Sequence, residues 1–126
     1  MTTRRSLSLL FCGAVGVFLA TLSVYGQQKP ASTNPADYQK VVLDNQFVRV
    51  LDIRLPPGTF ESKHGHPKGL QIALSEFENE AKVFPSGVVT RRKAVPGEVR
   101  WNDVIEGHEV TNVGTTEQHV IRIELK

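Results

Sequence analysis

A chain of 126 residues, 40% of them hydrophobic, has room for one folded domain with a modest core and no second one. Arg4 and Arg5 are the only charged groups before Gly26, so residues 27–126 carry 13 basic against 13 acidic side chains. That balance gives no charge-based reason to expect a nucleic-acid or membrane-surface partner. The single cysteine, Cys12, lies in the opening apolar stretch, which leaves the rest of the chain without disulfide, thiolate ligand or thiol nucleophile.

Residues 1–26 read as a secretory signal peptide. Arg4 and Arg5 form a positive start, Leu7 to Val24 is apolar, and Val24-Tyr25-Gly26 loosely fits the small-x-small pattern of a cleavage site. The expected location is therefore the periplasm or the medium. Left uncleaved, the same stretch is about long enough for a single membrane anchor. Thr3-Arg4-Arg5-Ser6-Leu7 also resembles the opening of a twin-arginine signal, without its downstream lysine. Residues 27–38, with Pro30, Ser32, Thr33, Asn34 and Pro35, read as a linker.

From residue 39 to residue 126 the hydrophobic period is two. Phe47, Leu51, Ile53 and Leu55 fall on one face of a first long strand, with Arg49 among them. A buried Arg49 would need an ion-pair partner. Pro56-Pro57-Gly58 is a turn, Phe60 to His66 a short strand, Pro67-Lys68-Gly69 a turn, and Leu70 to Leu74 a strand. Ala81 to Phe84 and Val88 to Val95 flank Pro85-Ser86-Gly87 as a hairpin. Pro96-Gly97 leads into Val99 to Val104, and Glu106-Gly107 is a further turn before a strand His108 to Asn112. A last strand places Ile121, Ile123 and Leu125 on one face, with His119 on the same side. No stretch has helical periodicity of useful length. Eight to nine short strands must close into a barrel or stack as a sandwich to hide their edges, so the fold class is all-β.

Three of the four histidines stand in two short segments, His64-Gly65-His66 and His108. Residues i and i+2 of a strand share a face, roughly 6.5–7 Å apart, so His64 and His66 can converge on one ion, and His108 can complete the group. The pattern Gly58-x5-His64-x-His66, then four residues and Gln71, resembles the first motif of the small single-domain cupins. Gly97-x10-His108-x3-Asn112 resembles the second.

The resemblance implies an antiparallel jelly-roll barrel over residues 39–126, with His64, His66, Gln71 and His108 as the metal site. The family usually has glutamate where this chain has Gln71, and proline and glycine at the positions of Asp103 and Ile105. Three neutral imidazoles and an amide leave the charge of a divalent ion uncompensated. That favours an anionic small-molecule ligand, with Gln71 either coordinating weakly or holding a bound water. Such a donor set suits transition metals, Fe(II) first, with Zn, Mn, Ni or Cu as alternatives. The implied activity is that of a dioxygenase-type oxidoreductase on a small molecule. The other readings are a metal-dependent isomerase and a non-catalytic binding or sensing barrel.

Other residues have quieter expectations. Asn112 is read as fixing a turn, His119 as a core group or as support behind the ligands, and Trp101 as a core plug. Glu61 and Glu106 are read as solvent-facing, acting as acid or base only if they line the barrel mouth. The resemblance also implies pairing of two copies edge to edge.

Overall fold

The structure is a computed structural model that describes residues 32–126. The expected signal peptide and the first residues of the expected linker lie outside the described residues. Among the described residues no helix is long and apolar enough to cross a membrane. A single 3-10 turn, Pro35–Asp37, capped by the Asn34 side chain, precedes nine strands. These are β1 Gln39–Asp44, β2 Val48–Leu55, β3 Phe60–His66, β4 Gly69–Ala73, β5 Phe77–Val83, β6 Val89–Ala94, β7 Val99–Asn102, β8 Ile105–Asn112 and β9 Gln118–Leu125.

They form two antiparallel sheets, ordered β1-β2-β9-β4-β7 and β3-β8-β5-β6. The two sheets face each other as a jelly-roll barrel, the all-β fold that the alternation requires. Turn chemistry sets the corners. At Pro56-Pro57-Gly58 the Thr59 amide donates to the Pro56 carbonyl at 3.2 Å while Gly58 takes φ +74°. This is a type II turn, with proline and glycine in the two positions that need them. Val95-Pro96-Gly97-Glu98 repeats it, with φ +86° at Gly97 and the Glu98 amide on the Val95 carbonyl at 3.1 Å.

The inward residues of β2 are Leu51, Ile53 and Leu55, as its alternation predicts. With Ala73, Phe77, Ala94 and Val120, Leu51 and Ile53 make the core between the sheets. Phe47 falls outside it, 68% exposed, because the chain is still turning there: Asn45 Oδ1 accepts from the amides of Phe47 and Val48. Arg49 is exposed as well, so it needs no buried partner.

Two expectations are corrected by the register. Glu106-Gly107 is not a turn; β8 runs through both, from Ile105, and the second motif is continuous strand. In β9 the buried residues are Gln118, Val120, Arg122 and Glu124, while His119, Ile121, Ile123 and Leu125 are half-buried on the outer face. His119 accordingly meets Asp52 on that outer face, Nε2 to Oδ1 2.9 Å. The rule that apolar residues go inside fails here because, beside the packed core, part of the barrel interior is a polar cavity lined by Gln118 and Arg122.

Asn112 is fully buried and ties three chain segments together. Its Nδ2 donates to the carbonyls of Leu55 and Thr116, both at 2.8 Å, and its Oδ1 accepts from the Gly114 amide at 3.0 Å. The expected structural role is what the geometry shows. Asn112→Ala strands those two carbonyls and is expected to cost about 2–4 kcal/mol. Urea denaturation should show this as a lower midpoint at unchanged slope.

Candidate metal centre

His64 and His66 come from β3 and His108 from β8, where His64 and His108 are directly opposed. The β3–β8 pairing is irregular on both sides of His64, with register shifts between Glu61 and His64 and between His64 and His66. In an undisturbed strand, residues three apart face opposite ways. The first irregularity turns both Glu61 and His64 toward the barrel interior. Gly65 is required between the ligands, because a Cβ there would stand 2.8 Å from the backbone oxygens of Ile105 and Glu106. Only a residue without a side chain lets β3 lie this close to β8.

One nitrogen from each of the three imidazoles lies within 4.8 Å of the others. His64 Nε2 and His108 Nε2 are 3.1 Å apart. Two nitrogens each about 2.1 Å from one ion and at right angles around it would stand about 3.0 Å apart, so this pair is spaced for neighbouring positions on one metal. Both β3 histidines are held from behind. His64 Nδ1 donates to the Ser62 carbonyl at 2.7 Å, and His66 Nδ1 donates to Glu124 Oε1 at 2.7 Å. Each bond places the proton on Nδ1 and turns an unprotonated Nε2 outward, as a ligand must have it. The Ser62 amide in turn donates to the Thr33 carbonyl at 2.7 Å, so the chain before the barrel fixes the peptide that orients His64.

Burial is the main force on the charges. It holds His66 down at about 2, assisted by the nearby charges of Arg122, His64, His108 and Arg49. It holds His108 at about 4, assisted by His64 and Arg122. Both rings are therefore neutral near pH 7 and available to a metal. Glu61 is 2% exposed. Burial raises its pKa, against the opposing hydrogen bond from Gln39 Nε2 (3.1 Å) and the charge of His64. Arg122 is pulled below the usual arginine value by burial, with Glu124 opposing.

The histidines open into a cavity of about 570 Å³, a volume suited to a small molecule. Gln71 lines it, on the opposite sheet, where its Oε1 accepts from Arg92 Nη1 at 3.5 Å. Coordination by Gln71 would require that contact to be given up. Trp101 also lines the cavity. It is 50% exposed and bonded to Asp103, so it is a wall of the mouth and not a core plug.

Arg122 and Glu124 were not singled out from the sequence, and Glu61, expected to face solvent, is buried and lines the cavity. Glu61 was hidden by the bulge, which breaks the parity count. Arg122 and Glu124 alternate strictly with isoleucines in β9, a signal that would have found them had the polar set been taken as the inner one.

Comparisons with known proteins agree with this architecture. A cupin domain from Bordetella pertussis is 25% identical, with a TM-score of 0.64 over 70% of this chain and 91% of its own. A double-stranded β-helix protein from Klebsiella pneumoniae is 23% identical, with a TM-score of 0.57 over 75% of this chain and 79% of its own. Oxalate decarboxylase from Lactobacillus farciminis, solved with formate, is 16% identical, with a TM-score of 0.51 over 64% of this chain and 24% of its own. No protein-family model and no curated protein sequence matches. The chain thus has the cupin fold, the double-stranded β-helix. Within that class it is a small single barrel whose cavity holds three histidines placed for one metal ion.

Two measurements follow. Glu124→Gln keeps the shape of the group behind His66 but removes its charge, and metal affinity is expected to drop about 10- to 100-fold, read by competition with a chelating dye. The metal-free protein should also lose stability in acid. Between the unfolded histidine value of 6.5 and the folded values of about 4 and 2, the unfolded chain holds the extra protons. Stability therefore falls as pH falls, by up to about 1.4 kcal/mol per pH unit for each ring. Glu61, with its raised value, has the opposite slope just above 4.5. Calorimetry should show a lower Tm at pH 4.5 than at pH 6.5, with a shallower decline in His66→Gln.

Proposed function

We propose that this chain is an exported, mononuclear metal-binding cupin that acts on a small molecule, with a dioxygenase-type oxidation at Fe(II) as its reaction. The observation that carries this reading is the convergence of His64, His66 and His108 within 4.8 Å at the wall of a cavity large enough for a substrate. His64, His66 and His108 would hold an ion at the cavity wall, where a small molecule could reach it. A bound Fe(II) would supply activation of dioxygen, and a redox-inert ion in its place would polarise a substrate oxygen. Burial holds His66 and His108 neutral, and the Ser62 carbonyl and Glu124 orient His64 and His66. Glu61, three residues before His64, is placed to accept or return a proton at its carboxylate oxygens. The arginine-led apolar segment at residues 4–24 supports export. The exposed apolar edge of β1, with Val41, Val42 and Leu43, favours pairing of two copies.

A second reading is a binding or sensing barrel without turnover. It is favoured by the make-up of the cluster, which among the described residues includes no carboxylate, so the first layer around the ion brings no negative charge.

Metal analysis of the purified protein beside a His64→Ala/His66→Ala variant tests the site: about one ion per chain is expected in the first and none in the second. Dioxygen consumption that depends on both Fe(II) and an added substrate would support the oxidative reading. Full activity with Zn(II) in the absence of air would replace it with Lewis-acid chemistry. Thermal stabilisation by a ligand without turnover would select the binding module.

A further inference from the structure

Of the six residues of β1, only Gln39 is not exposed, and it lines the cavity that holds the histidines. Its Nε2 stands 3.3 Å from His64 Nε2 and 3.1 Å from Glu61 Oε1. Both partners accept. The proton of His64 is on Nδ1, donated to the Ser62 carbonyl, and a carboxylate offers only acceptor oxygens. Both N–H groups of the Gln39 amide are therefore engaged. One is anchored on Glu61, and the other points at the lone pair with which His64 would hold a metal. His108 Nε2 faces the same lone pair at 3.1 Å. Gln71, the amide that the sequence motif would bring to the ion, is turned to Arg92 instead.

The two ends of the His64 ring are thus governed by one short stretch of chain. Thr33 fixes the Ser62 peptide behind Nδ1, and Gln39 faces Nε2. Gln39 is set in place by its pairing with Ile53 of β2 and by the Arg54 amide, which donates to the Tyr38 carbonyl at 3.0 Å.

An ion and an N–H donor cannot share His64 Nε2, because an unprotonated ring nitrogen has one lone pair. Once an ion takes it, the Gln39 N–H has lost its acceptor, and a donor left unmade inside a protein is costly. Turning the amide over gives no relief. Its Oε1 would then face the Glu61 carboxylate, acceptor against acceptor, at a residue that is 2% exposed. The amide therefore stays on Glu61 with one N–H to spare. An atom bound next to His64 on the same ion would stand about 3.0 Å from Nε2, as near to it as the amide does, and so comes within reach of that N–H.

We propose that Gln39 is the amide that serves the metal centre: anchored on Glu61, it donates its second N–H to an atom bound to the ion beside His64, and so selects ligands whose ligating atom keeps a lone pair. This rests on the metal-centre reading.

The test is titration of the Co(II)-loaded protein with azide and with imidazole, followed by the visible absorption of the cobalt. The ligating nitrogen of azide keeps a lone pair that an N–H can meet, whereas that of imidazole has spent its only one. Gln39→Leu keeps the bulk and removes both N–H groups. It is expected to weaken azide about tenfold or more and to leave imidazole affinity and cobalt content unchanged. Gln39→Ala repeats the measurement if leucine disturbs β1. An equal loss of azide and imidazole affinity would mark a merely structural role and overturn the proposal. Loss of cobalt from Gln39→Leu would make Gln39 a ligand in its own right and overturn it as well. Cobalt uptake with azide bound equally by both forms, or by neither, would overturn the Gln39 assignment alone. A protein that takes up no cobalt would overturn the metal centre and this proposal with it.

Discussion

The hydrogen bond between His66 and Glu124 ties the barrel to its chemistry. It joins β3 of one sheet to β9 of the other, and both side chains are almost completely buried. A carboxylate in that position is tolerable only because His66 Nδ1 and the Arg122 guanidinium share it. Removing any member of the group leaves an uncompensated buried charge or an unsatisfied acceptor. The same bond fixes which nitrogen of His66 is free. The closure of the two sheets and the competence of the ligand are therefore one constraint.

This arrangement also explains how a site with a neutral amide at Gln71 can remain balanced. The resemblance to small cupins leads one to expect a negative group beside the ion at that position. Here the negative charge stands one hydrogen bond away, behind His66. A carboxylate there raises the basicity of the ring it supports. Arg92, Arg100 and Arg122 border the same cavity as the histidines.

Much of the fold was legible in the sequence because its signals are local. The two X-Pro-Gly turns, the alternation of Leu51, Ile53 and Leu55, and the hairpin around Pro85-Ser86-Gly87 each depend on a few neighbouring residues. So does the pairing of His64 with His66 on one strand face. The parts that were not legible depend on the partner strand. Glu61 faces inward only because β3 bulges against β8, and no count along β3 alone reveals that. The inner face of β9 was misassigned because burial follows what the interior contains, and a barrel with a wet, charged cavity inverts the usual choice. The extension of β8 through Gly107 came from its pairing with β3, although glycine beside Glu106 has the composition of a turn.

The peptide at Ser62 has one further implication. Its carbonyl aims His64, and its amide is held by Thr33, which belongs to the lead-in before the first strand. Tyr38 reaches back to the Ser32 carbonyl, and Ser32 bonds Asp37, so this lead-in is folded onto itself as well as onto β3. The structural unit competent to grip a metal thus begins upstream of the barrel. A trimmed version starting at β1 would keep every ligand and every sheet, yet give His64 a looser hinge. Fusion tags and protease sites are accordingly best placed before Ser32.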